Sequence, residues 1–392
     1  MTDICVSRIV LWQDSPSQLQ AGYIRSLANR YDLDLVCANR LSQARLSLGW
    51  EEADFGKARL IIRPGENEIR ELVHTRLPHS VHVISSPHRV ATSRRAYSML
   101  VSTGAIVGLL AEGRDWRGIK GALRRLESFV YERRIGKRLD FVLAMGHTSL
   151  IWHGMCGIPE EKIFPFGYFP VIRSDGCLPE NDALHAGQEE NGASCFKLIS
   201  VGQLIARKRV HLLFKALAMI KALAWRLTLI GGGPERSKLE RMAKDLGLSD
   251  RVAFAGVIKN SLVPREMGKA DLLVLPSVWD GWGAVINEAL GAGVPAVCSD
   301  FCGAQVLLGG ERGETFPCGS VSGLANVLRS RILHGRPSAE VRRRIRTWSR
   351  CISGDAASNY LSGIIFYLSA KRQGTSVPRP IAPWLAEQDS RL

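Results

Sequence analysis

The chain has 392 residues, of which 46% are apolar, and it carries 52 Lys and Arg against 37 Asp and Glu, a formal net charge of +15. This length predicts two domains of about 150–200 residues each, and the apolar content excludes a disordered chain. The basic balance favours a polyanionic partner, which is either nucleic acid or an anionic membrane face.

Targeting and redox signals are weak along the whole sequence. The N-terminus, MTDICVSRIV, lacks a basic region followed by an apolar stretch, and so it predicts no signal peptide. The longest apolar run, Met99–Ala111, is too short to span a bilayer. Nine cysteines without CxxC pairs predict reduced thiols in a cytoplasmic protein. Cys298 and Cys302 have no partners at zinc spacing, so no metal site is expected there.

The first half of the chain predicts strands separated by less regular helical segments, and residues 1–172 are interpreted as an N-terminal Rossmann-like domain. The strands are predicted at Ile9–Trp12, Leu33–Cys37, Leu60–Ile62, Val81–Ser85, Ala105–Leu110 and Phe141–Met145. Residues 173–195 are polar and rich in Gly, Pro, Asn and Glu, and they predict a linker.

The second half alternates regularly between strands and helices, which predicts a parallel, doubly wound sheet over residues 196–345. The predicted strands are Phe196–Val201, Leu227–Ile230, Val252–Ala255, Leu272–Leu275 and Ala296–Cys298. The predicted helices are Val210–Ala222, Glu235–Leu246, Leu262–Lys269 and Ala284–Leu290. Two Rossmann-like halves of this kind predict a ligand cleft at the carboxyl ends of their strands.

Residues 271–300 contain the most informative pattern, in which a buried strand is followed by a glycine-containing loop and a helix. Asp280 and Glu288 are eight residues apart, about 12 Å along an unbroken helix, which is too far to hold one small ligand. Gly281 and Gly283 predict that Asp280 lies in the loop, whereas Glu288 lies on the second turn of the helix. Free N–H groups at the helix start would suit a phosphate, and the carboxylates would suit hydroxyls. An ordinary βαβ unit with a glycine-rich turn is the alternative.

This segment resembles the acidic-x7-acidic motif of the retaining family 4 glycosyltransferases (glycosyl transferases group 1), which share the GT-B fold. The resemblance implies that Glu288 binds the nucleotide ribose and that Asp280 lies beside the donor sugar. Asp280 stands where the family has Glu, and it is one methylene shorter. Gly281, Trp282, Gly283 and Ala284 would complete this donor-binding loop. The resemblance also implies that residues 346–392 form a helix that crosses back to the first domain, followed by a mobile tail.

A basic loop follows the strand Phe196–Val201, in the sequence VGQLIARKRVHLL. It resembles the family pattern G-R-x4-K-G: Gly202 and Lys208 match, and Gln203 replaces the family's Arg. Arg207 is interpreted as the substitute guanidinium, so that Lys208 and Arg207 together would face a diphosphate. A solvated basic loop is the alternative interpretation.

Two further segments are predicted to line the donor site. The triple glycine after the predicted strand Leu227–Ile230 resembles a GxGP-like element, which implies that Gly231 and Gly232 approach the donor. The stretch FAGVIKN resembles the segment whose backbone reads the base, which implies roles for Val257 and Ile258.

The first half supplies fewer candidates. His88, Glu112 and His147 each follow a predicted strand, where they could meet an acceptor hydroxyl, although a surface or capping role is an equally good interpretation. The stretch QDSPSQLQAG lacks the Gly-Gly pair common in the family. Asp32 and Asp34 form a DxD pair, but it stands at a strand entrance, which argues against a metal site.

These observations together predict a nucleotide-sugar-dependent retaining hexosyltransferase in surface polysaccharide or lipid-linked glycan assembly. Its predicted catalytic residues are Asp280, Lys208, Arg207, His88 and Glu112, and no metal or other cofactor is expected. The expected partners are a nucleotide-sugar donor, a glycan or lipid-linked acceptor and an anionic membrane surface on the cytoplasmic side, but not nucleic acid. The alternatives are a nucleotide-sugar-binding protein without transfer activity and another GT-B enzyme, such as an epimerase or phosphorylase.

The segment Arg117–Arg138 has eight basic residues against two acidic ones and helical spacing. Its apolar residues share one broad side of the predicted helix: Ile119, Leu123, Leu126, Phe129 and Val130. If this side packs on the sheet, the basic residues form a solvated face; the alternative is peripheral contact with anionic lipid.

Overall fold

A computed structural model describes residues 6–75, 77, 79–171 and 195–389. It divides the chain into two compact units. The first contains the described residues of 1–43, 52–171 and 351–392, and the second contains those of 44–51 and 172–350. Nearly all of the predicted linker, residues 173–194, lies outside the described residues.

The first unit contains a seven-stranded parallel sheet with the strand order β3-β2-β1-β4-β5-β6-β7. Six of its strands overlap the predicted ones. The seventh, at the sheet edge, escaped prediction because it is only four residues long and contains Pro165. The strands are β1 Arg8–Gln13, β2 Asp32–Cys37, β3 Arg59–Ile62, β4 Ser80–Ser85, β5 Ile106–Glu112, β6 Phe141–Met145 and β7 Ile163–Phe166.

Helices of the first unit connect these strands and extend into the C-terminal segment. The last long helix, α13, packs against α1, where Gly22 and Gly354 approach backbone to backbone. The Arg372 guanidinium then reaches the Asp140 carboxylate at 2.8 Å. The helices are α1 Ala21–Leu27, α3 Glu66–His74, α4 Ala91–Leu100, α5 Gly118–Gly136, α6 His147–Met155, α13 Gly354–Arg372 and α14 Pro383–Asp389, and α2 Gln43–Leu46 stands at the boundary with the second unit.

The second unit contains a six-stranded parallel sheet with the order β10-β9-β8-β11-β12-β13. All five predicted strands are present, and β13 was missed because its sequence, GETF, has no apolar run. The strands are β8 Phe196–Val201, β9 Trp225–Ile230, β10 Val252–Gly256, β11 Leu272–Leu275, β12 Ala296–Ser299 and β13 Gly313–Phe316. The helices are α7 Val210–Met219, α8 Arg236–Asp245, α9 Val263–Gly268, α10 Val285–Gly291, α11 Val321–His334 and α12 Ala339–Trp348.

Local sequence explains where several of these elements begin and what they bury. Ser320, Ser338 and Ser353 cap α11, α12 and α13 by accepting a hydrogen bond from the backbone three residues later. The strands that lie inside each sheet are continuous apolar runs, as β11 is, because helices cover both faces of a parallel sheet. The prediction of two doubly wound parallel sheets is therefore confirmed.

The strand order reverses direction at one place in each sheet. This switch point lies between β1 and β4 in the first unit and between β8 and β11 in the second. The loops that follow the two strands diverge to opposite faces of the sheet there and leave a crevice, where ligands of such folds bind. The predicted Lys208 and Asp280 loops follow β8 and β11, so the fold places them on the two sides of one switch point.

Candidate functional site

The two loops of the second unit's switch point are joined by their backbones. The Val278 N–H, in the loop after β11, donates to the Arg207 carbonyl, in the loop after β8, at 2.9 Å. The Arg207 guanidinium returns a hydrogen bond to the Trp279 carbonyl at 2.8 Å. These contacts fix the basic loop against the acidic loop.

Lys208 and Asp280 form an ion pair across this junction. The Lys208 ammonium lies 2.5 Å from Asp280 Oδ2, and the Ser277 hydroxyl donates to the same oxygen at 3.3 Å. The Arg207 guanidinium stands 3.9 Å from Asp280 Oδ1. The Lys208 and Asp280 side chains are mostly buried, so solvent screens their charges less than it screens a surface pair.

The backbone of Asp280 is held by the loop that follows β12. Its N–H donates to the Phe301 carbonyl at 3.1 Å, and its carbonyl accepts from the Gly303 N–H at 2.9 Å. A side chain at Gly303 would collide with the Gly281 carbonyl, because a Cβ there would lie 1.9 Å from that oxygen. Sequence reasoning missed Ser277, Phe301 and Gly303, since no local pattern indicates that β12 brings its loop to β11.

Glu288 differs from Asp280 in having no charged neighbour. Helix α10 begins at Val285, so Glu288 lies on its first turn and not on the second turn that the sequence predicted. The side chain is partly buried, and no described residue forms a hydrogen bond or ion pair with its carboxylate. Burial without a partner raises the pKa of Glu288 to about 7. The carboxylate is therefore poised to accept hydrogen bonds from a ligand.

Trp282 anchors this loop from inside. Its indole is buried and donates to the Asn287 side chain at 2.7 Å, and its carbonyl accepts from the Ala304 N–H at 2.7 Å. The indole therefore faces the protein interior, and only the backbone of Trp282 is left to contact a donor. Gly283 has φ +96°, and a Cβ there would lie 2.7 Å from the Cys302 sulfur.

Glycines bring the β8 and β9 loops into close contact. Gly231 has φ +134°, and a Cβ there would lie 1.9 Å from the Gly202 carbonyl, so only glycine fits. A small cavity opens beside this contact, and its wall includes Gly202, Gln203, Lys208 and Pro276. A Cβ at Gly232 would meet the Val257 side chain at 2.9 Å.

Residues 44–51, from the first half of the chain, pack beside the predicted base-reading segment around Val257 and Ile258. The Asn260 N–H donates to the Gly49 carbonyl at 3.0 Å, and Gly49 lies against the Ile258 carbonyl. Val257 remains 44% exposed. Residues 44–51 therefore border the candidate donor site, and sequence reasoning missed them because they are far from it along the chain.

Residues 187–348 match the family model described as Glycosyl transferases group 1. That stretch contains the Lys208 loop, the Asp280 loop and Glu288. The chain is also 33% identical, over 33% of its length, to the lipopolysaccharide core biosynthesis glycosyltransferase LpsE of Rhizobium meliloti. It is 33% identical, over 50% of its length, to the lipopolysaccharide core biosynthesis glycosyltransferase LpsD of the same organism. The matched stretches span 38% of LpsE and 58% of LpsD.

The fold extends the likeness to nearly the whole chain. HepE of Anabaena, solved in complex with UDP, superposes with a TM-score of 0.69 over 92% of this chain and 99% of that one, at 16% identity. This likeness confirms the GT-B fold that the sequence predicted. The match to the glycosyltransferase family itself is confined to residues 187–348.

The family match ends at residue 348 and leaves the candidates of the first unit without support from it. The fold nevertheless brings them to one sheet edge, because they follow the adjacent strands β4, β5 and β6. His88 is exposed and packs edge-on against Tyr131; partial burial and the neighbouring Arg89 and Arg114 lower its pKa. At neutral pH the imidazole is therefore uncharged.

Glu112 and His147 occupy the next two positions along this edge. Glu112 is the last residue of β5, and its carboxylate accepts a hydrogen bond from the Tyr168 hydroxyl at 2.8 Å. His147 is the first residue of α6, directly after β6. Tyr131 and Tyr168 were missed, because an isolated tyrosine in a sequence gives no signal of a site.

Asp34, the second residue of the DxD pair, has a structural role. This carboxylate is buried in β2 and pairs with the Arg8 guanidinium at 2.5 Å and with Arg59 at 2.6 Å. Within the described residues, no group of three or more His, Cys, Asp and Glu is arranged to hold a metal ion. Cys302 donates its thiol to the Trp282 carbonyl at 2.9 Å.

Proposed function

We propose that the protein is a hexosyltransferase that moves a sugar from a nucleotide diphosphate-sugar to an acceptor hydroxyl and retains the anomeric configuration. The observation that carries the proposal is the ion pair between Lys208 and Asp280 at one switch point, followed by Glu288 on the next helix, inside the stretch that matches the glycosyltransferase family. UDP in the structural relative HepE supports a nucleotide-sugar donor.

Lys208 and Arg207 stabilise the departing diphosphate in this proposal. Both cations now face Asp280, and Lys208 is close enough to the carboxylate for a strong, charge-assisted hydrogen bond. A diphosphate brings two further negative charges to the same loops. Cations that are fixed in advance stabilise a leaving group without reorganising as its charge develops.

In this proposal Asp280 binds hydroxyl groups of the donor sugar, and Glu288 binds those of the nucleotide ribose. Asp280 is held rigidly by Lys208, Ser277 and the β12 loop, and so it can orient a sugar hydroxyl. Glu288 has a carboxylate without a partner among the described residues, and it accepts from the ribose. The acceptor enters on the face that the diphosphate leaves, which retains the configuration without an enzyme nucleophile.

No metal ion is required in this proposal, because Lys208 and Arg207 supply the positive charge. Treatment with EDTA is therefore expected to leave turnover unchanged, and added manganese is expected to have no effect. A strict manganese requirement, measured by donor turnover with and without EDTA, would contradict the proposal and would restore Asp32 and Asp34 as candidate metal ligands.

The acceptor is proposed to be a glycan or lipid-linked glycan, and the setting is the cytoplasmic side of an anionic membrane. The names of LpsE and LpsD support assembly of a lipid-bearing polysaccharide. His88 and Glu112 are proposed to contact the acceptor. The lowered pKa keeps the His88 imidazole neutral, so one ring nitrogen is free to accept a hydrogen bond from the acceptor hydroxyl.

A panel of radiolabelled UDP-, GDP- and ADP-sugars tests this function. We expect release of labelled sugar from one donor class, protection of the protein from thermal unfolding by the same donor, and loss of both in Lys208→Ala. NMR of the product assigns its anomer, and an inverted product would contradict retention. Protection without release would indicate a binding protein, whereas an epimerised donor or dependence on phosphate would indicate another GT-B enzyme.

A further inference from the structure

Helix α5, Gly118–Gly136, is oriented opposite to an ordinary amphipathic helix. Four large apolar side chains point to solvent: Ile119 is 83% exposed, Leu123 64%, Leu126 68% and Val130 68%. Helices that cover a sheet normally bury this stripe. The expectation that α5 packs its apolar side on the sheet is therefore wrong.

The four residues form a continuous ridge along α5. Their spacing of i, i+4, i+7 and i+11 puts them on one line of the helix surface, about 16 Å long. Phe129 borders the ridge, and the Arg133 guanidinium lies 5.5 Å from the centre of its ring. Exposed apolar side chains that are contiguous in this way mark an interaction surface, whereas scattered ones do not.

The face that α5 turns inward buries a charged hydrogen-bonding group, and only Ile135 near its end is buried in the hydrophobic core. Glu132 is buried, and its two carboxylate oxygens accept from Trp152 Nε1 at 2.7 Å and pair with His153 Nδ1 at 2.8 Å. Ser128 and Gly121 are buried on the same side. This buried hydrogen-bond network fixes which face of the helix looks outward, because rotating α5 to hide its ridge would leave Glu132 without partners.

Basic residues lie beside the ridge and beyond it. At about 100° per residue, Arg133, Arg134 and Lys137 fall within about 60° of the ridge line, and all three are exposed. Lys120 is exposed about 90° from the ridge line, Arg125 is exposed farther round the helix, and Glu127 is the one exposed acid of α5. Arg124, by contrast, is partly buried and donates to the Asp115 carbonyl at 2.8 Å, which makes it part of the fold.

We propose that the α5 ridge inserts into the surface of an anionic lipid bilayer. Apolar residues that enter the acyl boundary, with cations around them that pair with lipid phosphates, are the two components of interfacial helix binding. Charge complementarity favours this occupant over a second copy of the chain, since two α5 helices would bring their arginines together. The use of the surface, delivery of a lipid-linked acceptor, rests on the proposed function, whereas membrane binding itself does not.

Co-sedimentation of the full chain with vesicles tests the proposal. The vesicles are phosphatidylcholine alone or with about 30% phosphatidylglycerol, and the salt concentration is varied. We expect binding to the anionic vesicles only. The double variant Leu123→Ser/Leu126→Ser is expected to bind on the order of tenfold or more weakly, even at low salt, because insertion is lost.

A matched control separates the ridge from general surface hydrophobicity. Leu333 and Phe366 are 67% and 65% exposed on other helices, so Leu333→Ser/Phe366→Ser removes similar apolar area elsewhere and is expected to bind like the original protein. The charge variant Arg133→Gln/Arg134→Gln/Lys137→Gln is expected to bind anionic vesicles roughly a hundredfold more weakly at low salt. Its binding should also depend less steeply on salt. Circular dichroism and thermal unfolding check that each variant is folded.

Three outcomes would overturn the proposal. One is equal binding by the Leu123/Leu126 variant and the original protein, which would indicate adsorption by charge alone. Another is no binding to anionic vesicles at low salt. The third is a dimer in light scattering that the Leu123/Leu126 variant abolishes, which would assign the ridge to a second copy. Release of sugar from the donor in the absence of lipid reports on the proposed function separately, and it should be the same in the ridge variants.

Discussion

The two sheets share one order over six strands, with β7 as a seventh in the first sheet, yet the carboxyl ends of their strands carry different chemistry. In the second unit, the loops after β8 and β11 bring Lys208 and Asp280 into contact, and Glu288 lies on the helix that follows. In the first unit, His88 follows β4 and Glu112 ends β5, and each lies beside a tyrosine. Identical topology supplies a crevice twice, and the side chains on the loops decide what each crevice can bind.

This difference agrees with a division of labour. A diphosphate carries fixed negative charges and needs fixed cations, whereas a neutral acceptor hydroxyl needs only a proton acceptor and a surface to rest on. The comparison therefore predicts large effects for substitutions at the second switch point and small ones at the first.

Lys208→Ala is expected to have the largest effect. It removes the cation closest to the predicted diphosphate and leaves Asp280 without its partner, at a cost of roughly 2–4 kcal/mol, or one to three decades in turnover. Donor turnover under steady-state conditions measures the effect. Lys197→Ala, an exposed lysine near the amino end of β8, is the control and should behave like the original protein. Unchanged kinetics in Lys208→Ala would show that Lys208 does not stabilise the diphosphate.

Asp280→Ala is expected to reduce turnover by about one to two decades while affecting nucleotide binding much less. The reason is that its proposed partner is the sugar and not the nucleotide. Calorimetric titration with the plain nucleoside diphosphate, beside turnover of the full donor, separates the two quantities. Asp280→Glu keeps the carboxylate and should retain more activity than Asp280→Ala. A loss of diphosphate affinity as large as the loss of turnover would show that Asp280 acts on the nucleotide.

Glu288→Gln is expected to weaken nucleotide binding by about tenfold above pH 7 and to remove its pH dependence. In the original protein, affinity should rise as pH increases through about 7, because the ionised carboxylate is the better acceptor for ribose hydroxyls. Calorimetric titrations from pH 5.5 to 8.5 measure this. A pH-independent affinity in the original protein would place the ribose elsewhere.

The raised pKa of Glu288 also predicts that the stability of the donor-free protein depends on pH. The folded pKa of about 7 exceeds the ordinary 4.5, so between these values the folded state keeps a proton that the unfolded state has lost. Stability from this group is complete below pH 4.5 and declines as pH rises to about 7, by up to about 3 kcal/mol. Thermal unfolding of Glu288→Gln against the original protein should show a difference that grows across this window. A constant difference would mean that Glu288 titrates normally.

His88→Ala is expected to give the smallest effect, a rise of about threefold to tenfold in acceptor KM with unchanged donor hydrolysis. His79→Ala is the matched control, since His79 precedes β4 and therefore lies at the opposite end of the same strand. An effect of His88→Ala on donor affinity as large as that of Lys208→Ala would erase the contrast between the two switch points.

Much of the second unit could be predicted because its signals are local. Apolar runs give the strands, glycines give the turns, and the spacing of Asp280 and Glu288 separates a loop residue from a helix residue. β7 and β13 were missed, since short edge strands need little hydrophobicity and carry little pattern. The start of α10 was also displaced, and Glu288 consequently lies one turn earlier than predicted.

The sequence by itself determined the fold class, the basic loop and the acidic motif, because the two motifs are short local stretches and the fold class follows from the regular alternation of strands and helices. Only the tertiary structure decided which groups meet: Lys208 and Asp280 are 72 residues apart, and they pair because β8 and β11 are adjacent at the switch point. It alone placed the Trp282 indole in the interior and residues 44–51 beside the base-reading segment. The orientation of α5 is the clearest case. The sequence of α5 shows an apolar side but not whether that side faces the sheet or the solvent. The buried Glu132 bonds to Trp152 and His153 of α6, and these contacts direct the apolar ridge outward.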